Sequence, residues 1–346
     1  MNAYRKEPVL IGYASHPGRK KINQDALLIL TAQYGLSEPA GYKRKHAGRS
    51  PIGRIFHGQP REVTFAAVCD GMGGHDCGEK ASRIAVSGLE KWFTEQFPRM
   101  IGPEGESSGE SRRKMIAESM KKAFTDINDE LMAGAGSGKR MGSTAAALLL
   151  TEDYYIAVHI GDTRIYDFSA DPPLLTQDHS WVMEEVRAGR LRPEDRKTDP
   201  RRNILVRCLG VSGEAEPDIK IGERRENAVF LICSDGFWRE SEEKLASGGI
   251  QNDSEADLRG FPETEQELTA RLSLIMDSNL SLGETDNMTA VVIQSAGSAA
   301  GHGRIQSAGR VAGHNRIQSV GNTTGHRQIQ SAGSCRRNNR KGEKTA

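Results

Sequence analysis

The chain has 346 residues, of which 36% are hydrophobic, and its formal net charge is +1. This length allows one large domain or two of ordinary size, with a substantial core. The five cysteines are odd in number and form no Cys-x-x-Cys pair, which argues against a disulfide framework or a zinc knuckle and favours free thiols. No signal-type stretch follows the first residues, and nowhere do about 18 apolar residues run together. We therefore expect a cytoplasmic protein without a transmembrane segment.

Short apolar runs bounded by Gly, Asp or Asn predict strands, and apolar residues at helical spacing predict helices. The predicted strands cover residues 26–30, 63–69, 145–150, 154–160, 164–168, 228–233 and 289–294. The predicted helices cover residues 79–97, 111–132 and 265–279. Polar segments with Gly and Pro are expected to be loops, at residues 36–62, 98–110 and 246–264.

The order of these elements favours the α+β class. The first two helices lie between strands but do not follow every strand, unlike the pattern of a doubly wound parallel sheet. Residues 154–160 and 164–168 are close enough to pair as a hairpin across Gly161-Asp162-Thr163. We therefore expect antiparallel sheets with helices on their outer faces.

Residues 295–346 differ from the rest of the chain in charge and composition. Nine basic residues and one acid, Glu343, give this tail a formal charge of +8 and leave −7 for residues 1–294. A pattern that begins at Ser295 recurs twice, imperfectly, with a period of twelve residues. Gly, Ser and Arg at this density predict a disordered arm for an acidic partner, a nucleic acid or an acidic membrane. The repeat also leaves metal capture or a solenoid open, through His302, His314 and His326.

The most informative short motif is Asp70-Gly71-Met72-Gly73-Gly74-His75, which follows the predicted strand 63–69. Glycine at such a turn lets a carboxylate and a backbone carbonyl approach an ion, although Asp-Gly alone also marks an ordinary turn. Asp235 and Asp286 lie at the ends of two other predicted strands. Three carboxylates at three strand ends predict a site for a hard cation.

Six motifs in a fixed order resemble the metal-dependent protein phosphatases of the 2C type, and specifically their bacterial branch. Residues 178–210 are similar to the segment around the flap of that family, and the resemblance covers residues 10–294. The motifs are Asn23-Gln24-Asp25, Asp70-Gly71-Met72-Gly73-Gly74-His75, Gly142-Ser143-Thr144-Ala145, Gly161-Asp162-Thr163-Arg164-Ile165-Tyr166, Ser234-Asp235-Gly236 and Asp286-Asn287-Met288-Thr289.

The resemblance implies a four-layer α-β-β-α sandwich of two antiparallel sheets, with a two-metal centre at one end. Asp70 would bridge two manganese or magnesium ions, and the Gly71 carbonyl would bind the second ion directly or through a water. Asp235 and Asp286 would complete the first ion, while Asp25 would hold a coordinated water.

A third, weaker ion is also implied, held by Asp162 together with Asp235. The alternative for Asp162 is an ordinary turn whose acid caps backbone amides. Thr176, Asp178 and His179 are expected to order the base of the flap rather than to touch the ions.

The implied activity is hydrolysis of phosphoserine and phosphothreonine in proteins by attack of a metal-activated water. The phosphorylated proteins would be substrates of a bacterial serine/threonine kinase, and we expect a monomer. No Cys-x5-Arg signature occurs, which disfavours covalent cysteine chemistry. Ser143 and Ser234 are expected to be structural hydrogen-bonding residues rather than nucleophiles.

Three positions depart from the family pattern. Lys20 stands where a phosphate-binding arginine is expected, so either Lys20 binds phosphate or a local slip brings Arg19 to it. Gln24 replaces the usual acid, and Met72 replaces the histidine of the animal enzymes, while His75 is interpreted as fixing the glycine turn. Lys20 and Gln24 leave open a catalytically weak or silent regulatory module of the same fold, and the basic tail leaves open a domain that mainly carries that tail.

Overall fold

A computed structural model describes residues 9–34, 61–73, 77–101, 109–134, 141–211, 213–247, 257–258, 264–295 and 317–318. The strands in chain order are β1 (Val9–His16), β2 (Asp25–Tyr34), β3 (Arg61–Met72), β4 (Gly142–Ser143), β5 (Ala145–Leu150), β6 (Tyr154–Ile160), β7 (Arg164–Asp167), β8 (Asp218–Glu223), β9 (Val229–Cys233), β10 (Met288–Ser295) and β11 (Ile317–Gln318). The smaller sheet has the order β1-β10-β9-β7, and the larger has the order β11-β2-β3-β5-β6-β8, with β4 paired to β3. All neighbouring strands are antiparallel.

Two long helices cover the larger sheet and one covers the smaller. The helices are α1 (Cys77–Lys91), α2 (Phe97–Met100), α3 (Gly109–Gly134), α4 (Trp181–Arg187), α5 (Asp235–Trp238), α6 (Glu242–Ala246) and α7 (Glu265–Leu282). A π-helical turn, Trp92–Gln96, joins α1 to α2, and a 3₁₀ helix spans Pro193–Lys197.

The alternation of side chains along the strands builds three apolar layers. Phe65 and Ala67 of β3 face helices α1 and α3, whereas Ala66 and Val68 lie in the layer between the sheets. Leu231 of β9 packs in the third layer, against α7. The four-layer α+β sandwich predicted from the sequence is therefore confirmed.

The predicted hairpin between residues 154–160 and 164–168 is wrong. Strand β6 is paired on both edges, with β5 and β8, so it has no free edge for β7. Strand β7 instead pairs with β9 in the smaller sheet. The turn at residues 161–163 thus carries the chain from one sheet to the other.

Part of the sequence-based expectation falls outside the described residues. This holds for Gly74 and His75, for Cys335, for most of the predicted loops and for nearly all of the tail. Within the tail, Ile317–Gln318 pairs with Leu30 and Ile29 on the outer edge of β2. The four described cysteines carry free thiols: Cys69, Cys77, Cys208 and Cys233. None of the described helices is both long enough and apolar enough to span a bilayer.

Candidate metal centre

The two sheets bring four aspartates to the same end of the sandwich. Asp25 begins β2 and lies directly opposite Asp70 near the end of β3, so both side chains share one face of the sheet. Asp235 follows the end of β9, and Asp286 precedes the start of β10. The Ser234 hydroxyl donates to Oδ2 of Asp25 at 2.8 Å and so joins the two sheet ends.

Burial and mutual repulsion raise the pKa values of Asp25, Asp70 and Asp235. Burial raises the pKa of Asp25 to about 7, and the charges of Asp235 and Asp286 add to the rise, against hydrogen bonds from Ser234 and Thr289. Burial also raises the pKa of Asp70 well above its usual value, and the Asp25 charge contributes next. Like charges this close destabilise the site when no cation offsets them.

The donor atoms fit a hard divalent cation. Oδ1 of Asp25 and Oδ1 of Asp235 are buried and have no hydrogen-bond partner among the described residues. A buried carboxylate oxygen without a partner is costly unless an ion or a water fills the gap. All the converging groups offer oxygen, which suits magnesium or manganese better than zinc.

Gly71 lies where two backbone segments come together. Its amide donates to the Gln24 carbonyl at 3.1 Å. A Cβ at this position would lie 1.9 Å from the Gly78 carbonyl oxygen, at the start of α1, so no other residue fits without a shift of the backbone. The sequence predicted a glycine here for the close approach of an ion. The packing of helix α1 against Gly71 requires a glycine as well.

Asp70 is held through its backbone by the neighbouring strand. The Asp70 amide donates to Oγ1 of Thr144 at 3.0 Å, and the Ser143 hydroxyl donates to the Asp70 carbonyl at 3.0 Å. Ser143 thus has the structural contacts expected for it, and the sequence reasoning overlooked Thr144. The position of Thr144 inside the motif Gly142-Ser143-Thr144-Ala145 was the signal available.

Lys20, and not Arg19, faces the carboxylates. Lys20 Nζ lies 3.0 Å from Oδ1 of Asp286. Burial disfavours the charged lysine, but the hydrogen bond to Asp286 and the charges of Asp286, Asp70 and Asp235 outweigh it and raise the pKa of Lys20. The Arg19 guanidinium instead lies 3.5 Å from the Leu280 carbonyl at the end of α7.

Asp235 has a cationic neighbour that the sequence reasoning missed. Arg239, one helical turn after Asp235, forms an ion pair with it and also contacts Glu284 at 3.1 Å. Glu284 accepts hydrogen bonds from the amides of Thr285 and Asp286, at 2.7 and 2.8 Å. The i,i+4 spacing of Asp235 and Arg239 was the available signal. This chain of contacts orients Asp286 beside Asp235.

Asp162 lies at the crossing between the sheets, beside Asp235. Burial raises the pKa of Asp162 well above its usual value, and the charge of Asp235 is the next largest cause. Trp238 Nε1 donates to the Asp162 carbonyl at 2.9 Å. The structure thus brings Asp162 to the group formed by Asp70, Asp235 and Asp286.

The residues expected at the base of the flap have structural partners. Thr176 Oγ1 accepts from the Ile165 amide at 3.2 Å. Asp178 accepts two hydrogen bonds from the Arg164 guanidinium, at 2.8 and 2.7 Å, and both side chains are buried. His179 contacts Gly161 through both its backbone amide and its ring. Met72 pairs with Gly142 across β3 and β4.

Comparison with known families decides the identity of this fold. A profile described as Protein phosphatase 2C matches residues 53–248, which is more than half of the chain. The chain belongs to the protein phosphatase 2C family. The resemblance predicted from the sequence motifs is therefore confirmed.

Bacterial relatives in the 2C family align with most of the chain. The serine/threonine phosphatase Stp of Listeria innocua is 28% identical over 246 residues, covering 70% of this chain and 88% of that protein. A putative protein phosphatase 2C-type of Streptococcus pyogenes is 32% identical over 177 residues, covering 51% of this chain and 68% of that protein.

Solved structures of 2C phosphatases share the fold. The serine/threonine phosphatase of Streptococcus agalactiae superposes with a TM-score of 0.59 at 24% identity, covering 83% of this chain and 99% of that chain. The catalytic domain of PstP, in complex with two manganese ions, gives a TM-score of 0.50 at 22% identity, covering 83% of this chain and 99% of that chain.

Proposed function

We propose that this chain hydrolyses phosphoserine and phosphothreonine in proteins at a centre that holds two manganese or magnesium ions. The observation that carries the proposal is the convergence of Asp25, Asp70, Asp235 and Asp286 at one end of the sandwich. The raised pKa values of Asp25, Asp70 and Asp235, and the buried Oδ1 atoms of Asp25 and Asp235 that have no hydrogen-bond partner among the described residues, support a cation site.

The neighbours of each carboxylate suggest how it would contribute to metal binding. We assign Asp70 the bridging position, because it lies opposite Asp25 and its charge acts together with those of Asp235 and Asp286. Asp235 and Asp286 would hold one ion, and the Gly71 carbonyl would hold the other, directly or through a water. Asp25, with one oxygen bound to Ser234, uses the other to orient a water.

The bound ions would lower the pKa of a water and offset charge on the phosphoryl oxygens. Such chemistry needs no protein nucleophile, and Ser143 and Ser234 are already engaged as hydrogen-bonding residues. Lys20 is half exposed and lies beside Asp286, so its ammonium group is available to donate to a phosphoryl oxygen. It supplies charge without the bidentate fork of an arginine.

We further propose that Asp162 and Asp235 hold a third ion more weakly. Their mutual repulsion supports a shared cation, and the Arg239 guanidinium already offsets part of the Asp235 charge. A partly compensated pair binds an added cation less tightly than an uncompensated one.

The substrate class is supported by the relatives. Both Listeria Stp and PstP of Mycobacterium tuberculosis, which is 27% identical over 253 residues, are named serine/threonine phosphatases. We expect the substrates to be proteins phosphorylated by a serine/threonine kinase, and we take residues 1–294 as the phosphatase domain.

The experiment is hydrolysis of p-nitrophenyl phosphate with manganese, with magnesium and with chelator, followed by phosphoserine, phosphothreonine and phosphotyrosine peptides. We expect metal-dependent turnover that Asp70→Asn abolishes, and preference for the first two peptides. A folded wild-type protein with no metal-dependent turnover would favour the alternative, a silent regulatory module of the same fold. Lys20 and Gln24 are the residues that motivate this alternative.

A further inference from the structure

The turn that carries Asp162 is held from several sides. Gly161 has a φ of +106°, a left-handed conformation that favours glycine, and a Cβ there would lie 2.5 Å from Thr144 Cγ2. The hydroxyls of Thr144 and Thr163 lie 2.5 Å apart, and Trp238 Nε1 donates to the Asp162 carbonyl. The turn is therefore held by Thr144, which lies between β4 and β5, and by Trp238 of α5.

His179 forms a reciprocal pair with Gly161. The His179 amide donates to the Gly161 carbonyl at 2.8 Å, and the Gly161 amide donates to Nδ1 of His179 at 3.1 Å. Nδ1 must carry a lone pair, because an N–H group points at it. The ring proton therefore lies on Nε2, which faces Oδ2 of Asp218 at 3.1 Å.

The surroundings favour this neutral tautomer. His179 is fully buried, and burial lowers the pKa of its ring to about 4, with the neighbouring His159 contributing. Arg207, near the end of the flap segment, donates to the other oxygen of Asp218 at 2.9 Å. Asp218 lies opposite His159 in the pairing of β8 with β6. The chain of contacts runs from Arg207 through Asp218 and His179 to Gly161.

A metal site at His159, His179 and Asp218 is the competing interpretation, since one ligand atom of each lies within 4.8 Å of the others. A cation on Nε2 of His179 would displace its proton. The neutral ring would then carry a proton on Nδ1, facing the N–H group of Gly161, donor against donor. The Arg207 guanidinium also lies 2.9 Å from Oδ1 of Asp218, and its positive charge opposes the binding of a metal cation there.

We infer that His179 is a positioning residue that orients the Gly161-Asp162 turn and thereby sets the affinity of the weak third cation position. Its ring accepts from the residue next to Asp162, and its proton is anchored on Asp218 in the larger sheet. This inference rests on the proposed metal-dependent function. Because Arg207 lies near the end of the flap segment and binds Asp218, a movement of that segment would also change the contact between Asp218 and His179.

Two substitutions distinguish the contribution of Nδ1 from that of Nε2 in His179. In His179→Asn the amide oxygen stands near the Nδ1 position and can accept from Gly161, whereas in His179→Gln the amide nitrogen stands near Nε2 and retains only the Asp218 contact. Manganese binding is measured by calorimetry and by the electron paramagnetic resonance of free Mn²⁺. We expect two tight sites and one weak site in the wild type. His179→Gln should weaken only the weak site, by about 10–100-fold, and His179→Asn should largely restore it.

Combination with Asp162→Asn gives a readout that a general loss of structure would not reproduce. If His179 acts through Asp162, the double variant His179→Gln/Asp162→Asn binds manganese no more weakly than Asp162→Asn alone. A weak site unchanged in His179→Gln, or losses that add in the double variant, would overturn the inference and leave the proposed function intact. A wild-type protein that binds no manganese would overturn both.

Discussion

Ser234 donates a hydrogen bond to Oδ2 of Asp25 across 2.8 Å, although the two residues are 209 positions apart in the chain. Ser234 also accepts from the Thr289 amide at 2.9 Å, at the start of β10. One hydroxyl therefore aligns the end of β9, the start of β10 and the start of β2. The contact leaves Oδ1 of Asp25 free of partners among the described residues, so this oxygen is available to orient a water.

Ser234→Ala should weaken manganese binding about 10–100-fold, because removal of a group that orients a metal-site carboxylate has this effect. The measurement is calorimetric titration of the metal-free protein with Mn²⁺. Ser247→Ala is the matched control, since Ser247 is exposed and its hydroxyl donates to the Lys244 carbonyl at 2.9 Å within α6 and its C-cap. Equal affinities for the two variants would contradict the role of Ser234.

Lys20→Ala should lower kcat/KM for p-nitrophenyl phosphate by about 10–100-fold, the loss expected for one hydrogen bond to a charged group. Lys20→Arg should retain or improve activity, because the guanidinium supplies a bidentate fork. Lys21→Ala, at the next and exposed position, is the control and should leave kcat/KM unchanged. Arg19→Ala should resemble this control, and a loss with Arg19→Ala alone would favour the local slip.

The metal-free protein should lose stability relative to Asp25→Asn as the pH rises from about 4 to about 7. The folded state holds the Asp25 proton up to a pKa of about 7, whereas the unfolded chain releases it near 3.8. The contribution of Asp25 is therefore present below the lower value and lost as the pH passes the upper one. Each unit of this shift corresponds to about 1.4 kcal/mol.

The measurement for Asp25 is urea unfolding of both proteins in chelator at pH 4, 5, 6, 7 and 8. The difference in unfolding free energy should grow in favour of the variant up to about pH 7 and then level off. Saturating manganese should reverse the order, because the ions need the carboxylate. A difference in unfolding free energy that stays constant with pH would contradict a raised pKa for the buried Asp25 carboxyl group.

Gly71→Ala should destabilise the protein by about 1–3 kcal/mol or more, as expected when a side chain is forced into a filled space. The added Cβ would lie 1.9 Å from the Gly78 carbonyl oxygen and would push α1 from β3. Gly109→Ala is the matched control, since a Cβ there meets none of the described residues within 4 Å and alanine is the better helix former. Chemical denaturation without metal measures both, and equal stabilities would contradict the packing at Gly71.

The sequence predicted the elements whose apolar period is long and uninterrupted. Helices α3 and α7 and strands β3 and β5 lie close to their predicted bounds, because their buried faces repeat regularly. The helix predicted over residues 79–97 is divided in the structure, where α1 ends at Lys91 and the π-helical turn Trp92–Gln96 leads into α2. Strand β1 was missed because Gly12 interrupts its apolar run, and Gly12 is required there by the approach of Leu268 on α7. Strand β8 was missed because it is a largely polar strand at the edge of its sheet.

The residues of the candidate site could be predicted from the sequence, but their arrangement in space could not. The order of short motifs identified Asp25, Asp70, Asp162, Asp235 and Asp286, and the structure brings all five together. Sequence separation gave no indication of which sheet each strand joins, so the crossing at Gly161 was mistaken for a hairpin. The contacts of Arg239 with Glu284 and of His179 with Gly161 depend on this crossing and on the packing of α5, which local patterns do not encode.

The most direct test of the two-cation centre is anomalous diffraction from crystals of the full chain grown with manganese. We predict two strong manganese peaks among Asp70, the Gly71 carbonyl, Asp235 and Asp286, with Asp25 oriented toward a water by Ser234. A structure with no manganese at these residues, or with manganese only at His159, His179 and Asp218, would contradict the assignment.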